Sequence, residues 1–592
     1  MQCSSVGFDG NGHNGPGGNA SGRGPRRVDG HDARMMRQAG GREQPASCTP
    51  RRADPSPGAI RIAYSPLVRS CDPGLTSGWA FAVFALVATL IVTACGSTAP
   101  LPSPSAAATA PASDAASSAI AALPSATPLP TLAPPPPVYW SDCGGGFECG
   151  IVDVPRDYAD PAGPAVGLAL IRLRASDPTH RIGSLVVNPG GPGESGNDFV
   201  RQDATAIFPP EILARFDVVG FDPRGVGSST PIHCLDTLDH FIPLDATAAT
   251  PASLADLLDG AKAFAQQCGQ RNADLLPHLS TAEIARDLDQ IRAAVGDERL
   301  TYLGFSYGTL IGEDYASLFP THIRALALDG VVDPSLGEAT FRENQAVAFE
   351  GALDRFLADC AAHPTCAFYS GGRPGSAFDA LMSQIERHPV ATPRLTNREP
   401  VGPTQAWGAV TQSLYAQAAW PVLAAALAQA RAGDGSLLLV LGDPLRGRSP
   451  DGSYSNLIDA YDAVTCLDWP SPRDPAAYSA MATRFTAVAP RVGRLLAFND
   501  VECASWPAPP VRVPAPVAAP GAPPILLVGS TGDPATPYAW AQDVARQLSS
   551  AVLVTRVGEG HTGYLASGCV RDAIDAYLLD RSVPAVGLRC TR

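Results

Sequence analysis

"TYLGFSYGTLIG", Thr301 to Gly312, sets Ser306 between two glycines at the end of an apolar run. The residues "LTYLGFS" read as a buried strand and "YGTLIGEDYASLFP" as a helix. Strand, Gly304-Phe305-Ser306-Tyr307-Gly308, helix is the arrangement of a nucleophile elbow, where small flanking residues permit a strained turn that projects the seryl Oγ. In a chain of 592 residues with 57 glycines the pentapeptide alone decides little. Its setting decides more.

Upstream, "GLALIRLRAS" alternates like an early strand, and "GSLVVNPGGPGESG" is an apolar run that breaks into a Gly/Pro-rich turn. "FDVVGFDPRGVGSS" repeats that design, and "TAEIARDLDQIRAAVG" carries Ile284, Leu288, Ile291 and Val295 at helical spacing. Downstream, "IRALALDGVVDP" is another strand. Buried strands alternating with helices predict an α/β fold, a mostly parallel sheet with helices on both faces. Ligands of such sheets sit at the carboxyl ends of the strands, where the Gly-rich loops fall here.

A seryl hydroxyl is a weak nucleophile that needs a base, and the base needs an orienting acid. Both follow Ser306 in the order acid, then histidine. "PPILLVGSTGDPATP" is a strand ending in a loop with Asp533, and "AVLVTRVGEGHTGY" is a strand ending at His561. One helix, "PYAWAQDVARQL", lies between them. The bland alternatives are a helix cap for Asp533 and an ordinary loop position for His561. An oxyanion hole is expected from the Tyr307 amide and from Gly190 or Gly191 in "NPGGPG", because glycine lets a backbone approach substrate closely. In "FDPRG", Asp222 and Arg224 read as pairing or capping groups.

Taken together, "NPGGPGESG", "GFDPRGVGSS", "GFSYGT", "GDPATP" and "GHTGY" resemble the bacterial tripeptidyl aminopeptidases, exported α/β-hydrolase serine peptidases related to proline iminopeptidase. The likeness runs from Val138 to Arg592. It implies an α/β-hydrolase fold, with Ser306 as nucleophile, Asp533 as acid and His561 as base, and cleavage of short peptides (tripeptides) from free N-termini through an acyl-enzyme. A cell-surface carboxylesterase with the same triad and a catalytically silent lipid-anchored binding protein are the competing readings.

The chain between Ser306 and Asp533 is far longer than the connecting elements require. The excess predicts a mainly helical cap over residues 340–515, between core segments 138–339 and 516–592. A cap excludes water and shapes the substrate end of a cleft. Recognition of a substrate ammonium needs carboxylates in the cleft wall, and Glu343, Glu350, Asp354 and Asp468 are candidates by location, with Asp468 preferred.

Residues 1–77 read as disordered or as a mis-assigned extension, with translation expected from Met35, Met36 or a non-Met codon nearer Val68. Segment 78–95 contains an apolar run from Trp79 to Ala94, short for crossing about 30 Å of hydrocarbon but suited to a signal-peptide core. "VTAC" resembles a bacterial lipobox, which implies lipidation of Cys95 and a place on the outer face of the cell membrane; an uncleaved anchor helix is the alternative. Residues 96–137, dominated by Pro, Ala, Ser and Thr, read as a tether.

Of 14 cysteines, ten follow Cys95: Cys143, Cys149, Cys234, Cys268, Cys360, Cys366, Cys466, Cys503, Cys569 and Cys590. An even set behind an export signal predicts disulfides, with sequential neighbours favoured and one or two buried thiols as the alternative. No C-x-x-C or H-E-x-x-H pattern occurs, so neither a metal nor a cofactor is expected. The net charge of −14, without a basic stripe, argues against nucleic acid as a partner. Peptides and, through Cys95, the membrane are the expected partners.

Overall fold

A computed structural model describes residues 132–236, 238, 241 and 245–591. The alternative start sites, the signal segment, Cys95 and the tether as far as residue 131 lie outside these residues. Among the described residues no helix is long and apolar enough to cross a membrane.

The strands are β1 (Ser141–Asp142), β2 (Phe147–Pro155), β3 (Ala165–Leu173), β4 (Gly183–Asn188), β5 (Phe216–Phe221), β6 (Leu300–Phe305), β7 (Ile323–Asp329), β8 (Ile525–Gly532), β9 (Ala551–Glu559) and β10 (Arg589–Cys590). They form one sheet in the order β1-β2-β3-β5-β4-β6-β7-β8-β9-β10. β1, β2 and β3 enter antiparallel, and every pairing from β5 through β10 is parallel.

Every position of β4, β5 and β6 is buried, because helices cover both faces. Successive side chains still point to opposite faces. Val186, Tyr302, Ile525 and Leu527 pack with the helices Thr281–Ala294, Tyr307–Leu318 and Tyr538–Gln547. Leu185, Val187, Leu303, Leu526 and Val528 pack with the helices Gly196–Ile207 and Gly568–Asp580 on the other side. The order reverses at β4, which lies between β5 and β6. That reversal places the loop after β4 beside the loop after β6, the position where α/β sheets bind ligands.

Between β7 and β8 the chain leaves the sheet for a run of helices that includes Glu338–Ala362, Pro374–Arg387, Pro403–Leu414, Trp420–Arg431, Leu457–Asp468 and Pro475–Val488. These helices share an apolar core of their own, with Phe349, Leu353, Phe356, Trp407, Trp420 and Phe485 buried in it.

All ten described cysteines are paired, each with its next neighbour in the chain: Cys143–Cys149, Cys234–Cys268, Cys360–Cys366, Cys466–Cys503 and Cys569–Cys590. Cys466–Cys503 ties the end of the Leu457–Asp468 helix to the short turn Val501–Ser505, and Cys569–Cys590 fastens β10 to the C-terminal helix.

Candidate active site

Ser306 stands between the last residue of β6 and the first turn of the following helix, with φ 53° and ψ −124°. A left-handed backbone at a serine costs of order 1–3 kcal/mol and persists only where neighbours over-determine it. Three hydrogen bonds do so. The Ser306 amide donates to the carbonyl of Asp329 at 2.9 Å, and the Ser306 carbonyl accepts from the Thr309 amide at 2.8 Å and from Thr309 Oγ1 at 2.7 Å. The glycines on either side are sterically required, since a Cβ on Gly304 would fall 2.4 Å from the Gly308 carbonyl, and one on Gly308 2.8 Å from the Asn188 carbonyl.

His561 follows β9, and its Nδ1 lies 2.9 Å from both carboxylate oxygens of Asp533, at the end of β8. Asp533 is itself fixed by the amides of Ala535, Thr536 and Thr562 and by the Thr536 hydroxyl. Burial disfavours the imidazolium, but the charge and hydrogen bond of Asp533 outweigh it, with Asp329 and Glu194 adding, so the His561 pKa is raised. His561 Nε2 is buried and has no hydrogen-bond partner among the described residues. The ring lies at the end of β7: a Cβ on Gly330, which follows the Asp329 whose carbonyl accepts the Ser306 amide, would lie 3.0 Å from His561 Cε1.

A second carboxylate, Asp329, stands close to the same histidine. Its oxygens accept the Gly563 amide at 2.8 and 2.9 Å and the Tyr564 amide at 2.7 Å, and burial pushes its pKa up to about 6. It braces the histidine loop, whereas Asp533 holds the ring.

The loop after β4 closes over the elbow. Gly190 is buried with φ 110°, and a Cβ there would sit 2.7 Å from the Phe305 carbonyl and 3.2 Å from the Tyr307 amide nitrogen. Its own N–H donates to Asn188 Oδ1 at 3.0 Å. Of the two glycines named from sequence, Gly190 thus has a committed amide, while Gly191 is exposed. The loop is locked behind by Ser195, whose hydroxyl donates to Asp222 at 2.5 Å, and by the amides of Asn197 and Ser228 on the same carboxylate. Arg224 is fully buried and grips Asp287 through two nitrogens, at 2.7 and 2.5 Å. Asp222 is therefore a capping acceptor and Arg224 a pairing group, the two roles their loop suggested.

The four acidic residues considered for ammonium binding are all engaged by protein groups. Asp468 is 1% exposed and accepts the amide and hydroxyl of Thr281, whose Oγ1 in turn lies 2.5 Å from the Tyr307 phenol. Glu350 is buried against the amides of Arg491 and Val492 and the Arg491 guanidinium, which also pairs with Asp354. Glu343 pairs with Arg484. These engagements leave none of the four carboxylates free for an ammonium, which helical location alone did not reveal.

Two residues unmentioned by the sequence reading do reach the site. Tyr415, from the insertion, accepts the His561 amide at 2.7 Å and sets its ring edge-on to the imidazole at 5.1 Å. Glu194 ends the Gly-rich turn, with its Cγ 3.4 Å from where a Cβ on Gly191 would be. The carboxylate immediately after "NPGGPG" was a visible signal for Glu194; nothing local in the sequence marked Tyr415.

A family model described as alpha/beta hydrolase fold matches residues 183–430, and one described as TAP-like protein matches residues 489–590. Serine protease Hip1 of Mycobacterium tuberculosis (strain ATCC 25618 / H37Rv) is 36% identical over 487 residues, covering 77% of this chain and 91% of that protein. Carboxylesterase B of the same strain is 39% identical over 454 residues, covering 75% and 86%. Tripeptidyl aminopeptidase of Streptomyces lividans is 33% identical over 476 residues, covering 76% and 86%.

Proposed function

The chain belongs to the bacterial tripeptidyl aminopeptidase family of α/β-hydrolases and is a serine hydrolase; from that premise we propose that it is an exported exopeptidase that removes short peptides, tripeptides among them, from free N-termini. The observation that carries the catalytic assignment is the Asp533–His561 pair: Nδ1 is engaged by the carboxylate at 2.9 Å and Nε2 has no partner among the described residues.

In the proposed reaction His561 Nε2 takes the proton of Ser306 Oγ as the oxygen attacks the scissile carbonyl. The Tyr307 amide and the Gly191 amide receive the oxyanion, while Gly190, its amide held by Asn188, keeps that loop against the elbow. His561 then gives its proton to the leaving amine; a water molecule, deprotonated by the same nitrogen, attacks the acyl carbonyl, and that proton passes to Ser306 Oγ as the acyl group leaves. Asp533 stays ionised and holds the tautomer that leaves Nε2 free. The helical insertion, residues 340–515, acts as the cap. The five disulfides suit an exported protein, and lipidation at Cys95 would tether it to the membrane surface.

A carboxylesterase using the same groups is the second reading, favoured by the 39% identity to Carboxylesterase B. Turnover of alanyl-alanyl-alanine p-nitroanilide, its N-acetyl form and p-nitrophenyl butyrate separates the two. The exopeptidase reading expects the free tripeptidyl amide to be cleaved and acetylation to suppress it. Cleavage of the ester alone replaces it with the esterase, and indifference to acetylation overturns the requirement for a free N-terminus.

A further inference from the structure

Glu194 is a carboxylate beside Gly191, its Cγ 3.4 Å from where a Cβ on that glycine would be, with nothing to hold among the described residues. It makes no hydrogen bond or ion pair with a described residue, and its one favourable electrostatic neighbour is His561. It also lies within electrostatic range of Tyr415 on the insertion. Its backbone is not free to carry it away. A Cβ on Gly193 would be 2.6 Å from the Leu457 carbonyl, and Ser195 is tied to Asp222. The side chain is half-buried at the cleft, and the protein around it pushes its pKa up to about 7, against the lowering influence of His561.

An unpaired anion in this position works against the chemistry proposed for the site. The oxyanion that forms on acyl transfer is negative, and a fixed carboxylate close to its donors raises the energy of that transition state. The penalty disappears when the substrate itself brings a positive charge to Glu194. The carboxylate would then favour cationic acyl groups and disfavour neutral ones, giving selectivity by attraction and repulsion together.

We propose that Glu194 is the specificity-determining residue of the cleft, pairing with a substrate ammonium carried within one residue of the scissile carbonyl. This rests on Ser306 being the nucleophile and Gly191 an oxyanion donor. Proximity of Glu194 to Gly191 sets the range: the amine of a tripeptidyl group lies roughly 7 Å further along an extended chain than that of a single aminoacyl group. The ammonium is therefore either the α-amine of a one-residue acyl group or a cationic side chain on the residue whose carbonyl is attacked.

Two substrate pairs distinguish these sources. Alanine p-nitrophenyl ester and p-nitrophenyl propionate share a three-carbon acyl skeleton and differ by the α-ammonium. Ala-Ala-Lys and Ala-Ala-norleucine p-nitroanilides differ by the side-chain ammonium. Losing a charge-assisted hydrogen bond, Glu194→Gln lowers the cationic-to-neutral ratio of kcat/KM about tenfold or more in one of the pairs, and Glu194→Asp recovers part of it. The affected pair names the source. Ratios unchanged in both pairs overturn the proposal, as does an equal fall for both members of each pair. The wild-type protein gives an independent reading, since alaninamide should compete against p-nitrophenyl propionate more tightly than propionamide does if the α-amine is read, and the amides of lysine and norleucine capped by N-acetylation should differ likewise if the side chain is read; equal competition within both sets overturns the proposal. Failure of the exopeptidase reading is separately visible, because it removes turnover of the anilides and leaves the ester pair to report on Glu194.

Discussion

Tyr415 and His561 are joined twice: the His561 amide donates to the Tyr415 carbonyl at 2.7 Å, and the phenol ring stands edge-on to the imidazole at 83° and 5.1 Å. A Cβ on the adjacent Gly560 would lie 2.7 Å from the same Tyr415 carbonyl. The insertion therefore reaches His561 itself. An edge-on aromatic contact contributes about 0.5–1.5 kcal/mol beyond its buried area, so Tyr415→Ala should lower kcat roughly two- to tenfold, with Tyr415→Phe near wild type. Steady-state kinetics on a neutral ester check this; full activity in Tyr415→Ala would mean the ring does not steady the base.

The pH profile tests the electrostatics of His561. Burial alone would lower its pKa, and Asp533 reverses the sign, assisted by Asp329 and Glu194. A general base acts when neutral, so kcat/KM should rise with pH through an apparent pKa above the ordinary imidazole value of about 6.5. Glu194→Gln removes one of the negative charges and should move that midpoint to lower pH, as measured on a neutral ester. A midpoint that stays put or moves upward contradicts the placement of Glu194 beside His561.

Asp533→Asn should be far more damaging than any change at Asp329. An asparagine cannot both accept from Nδ1–H and keep its three backbone donors and one hydroxyl donor satisfied, and the wrong tautomer puts a proton on Nε2. By analogy with other serine hydrolase triads the loss in kcat is about 10⁴-fold. Asp329→Asn, which disturbs the Gly563 and Tyr564 amides, should show its main effect in thermal stability. Comparable kcat losses in the two variants would show that the two acids had been given the wrong roles.

The parallel part of the sheet was legible because β4 to β7 are short apolar runs that end in glycine-bearing turns, and because covering both faces makes such runs continuous. The order Ser306, Asp533, His561 was legible in the same way, because the three residues follow the ends of β6, β8 and β9 in turn. β2 was not: Phe147–Pro155 mixes Glu148, Gly150 and Asp153 with apolar residues, as an antiparallel outer strand can with one side in solvent. The cap's contribution was illegible for a different reason. Periodicity identified its helices, yet whether Asp468 faces Thr281 or the cleft depends on how one helix rotates against another, and no local pattern encodes that rotation. Tyr415 lies between two helices of the insertion, Pro403–Leu414 and Trp420–Arg431, and only the folded insertion brings it to His561.

Asp468 carries a pH signature of its buried position. Burial raises its pKa to about 6, with Arg512 and the two Thr281 donors opposing. The folded state then holds a proton that the unfolded chain has released, so this group's contribution to stability falls as pH rises from about 4 to about 6 and is constant above that. Asp468→Asn removes the titration, and the wild-type advantage over the variant should shrink by about 1–3 kcal/mol across that window. Chemical denaturation at pH 4 and pH 7 measures it. A difference between the proteins that is the same at both pH values would show that Asp468 titrates like an exposed carboxyl.

Gly190 offers a test of how the loop after β4 serves the elbow. Its φ of 110° strains any other residue, and a Cβ would meet the Phe305 carbonyl at 2.7 Å and Ser306 Cβ at 3.0 Å, both rigid parts of the nucleophile turn. The clash is with backbone, so neither side can yield without moving Ser306 or lifting the loop that carries Gly191. Gly190→Ala should therefore cost of order 1–3 kcal/mol of stability and, by displacing a donor, about 10²-fold or more in kcat, while KM for a small ester changes little. Asn188→Ala separates the two roles, since it releases the Gly190 amide without adding an atom. If Asn188→Ala lowers kcat and leaves KM, the Asn188 contact positions the oxyanion loop; if it raises kcat, the freed Gly190 amide is the better donor and the division of labour between Gly190 and Gly191 is reversed.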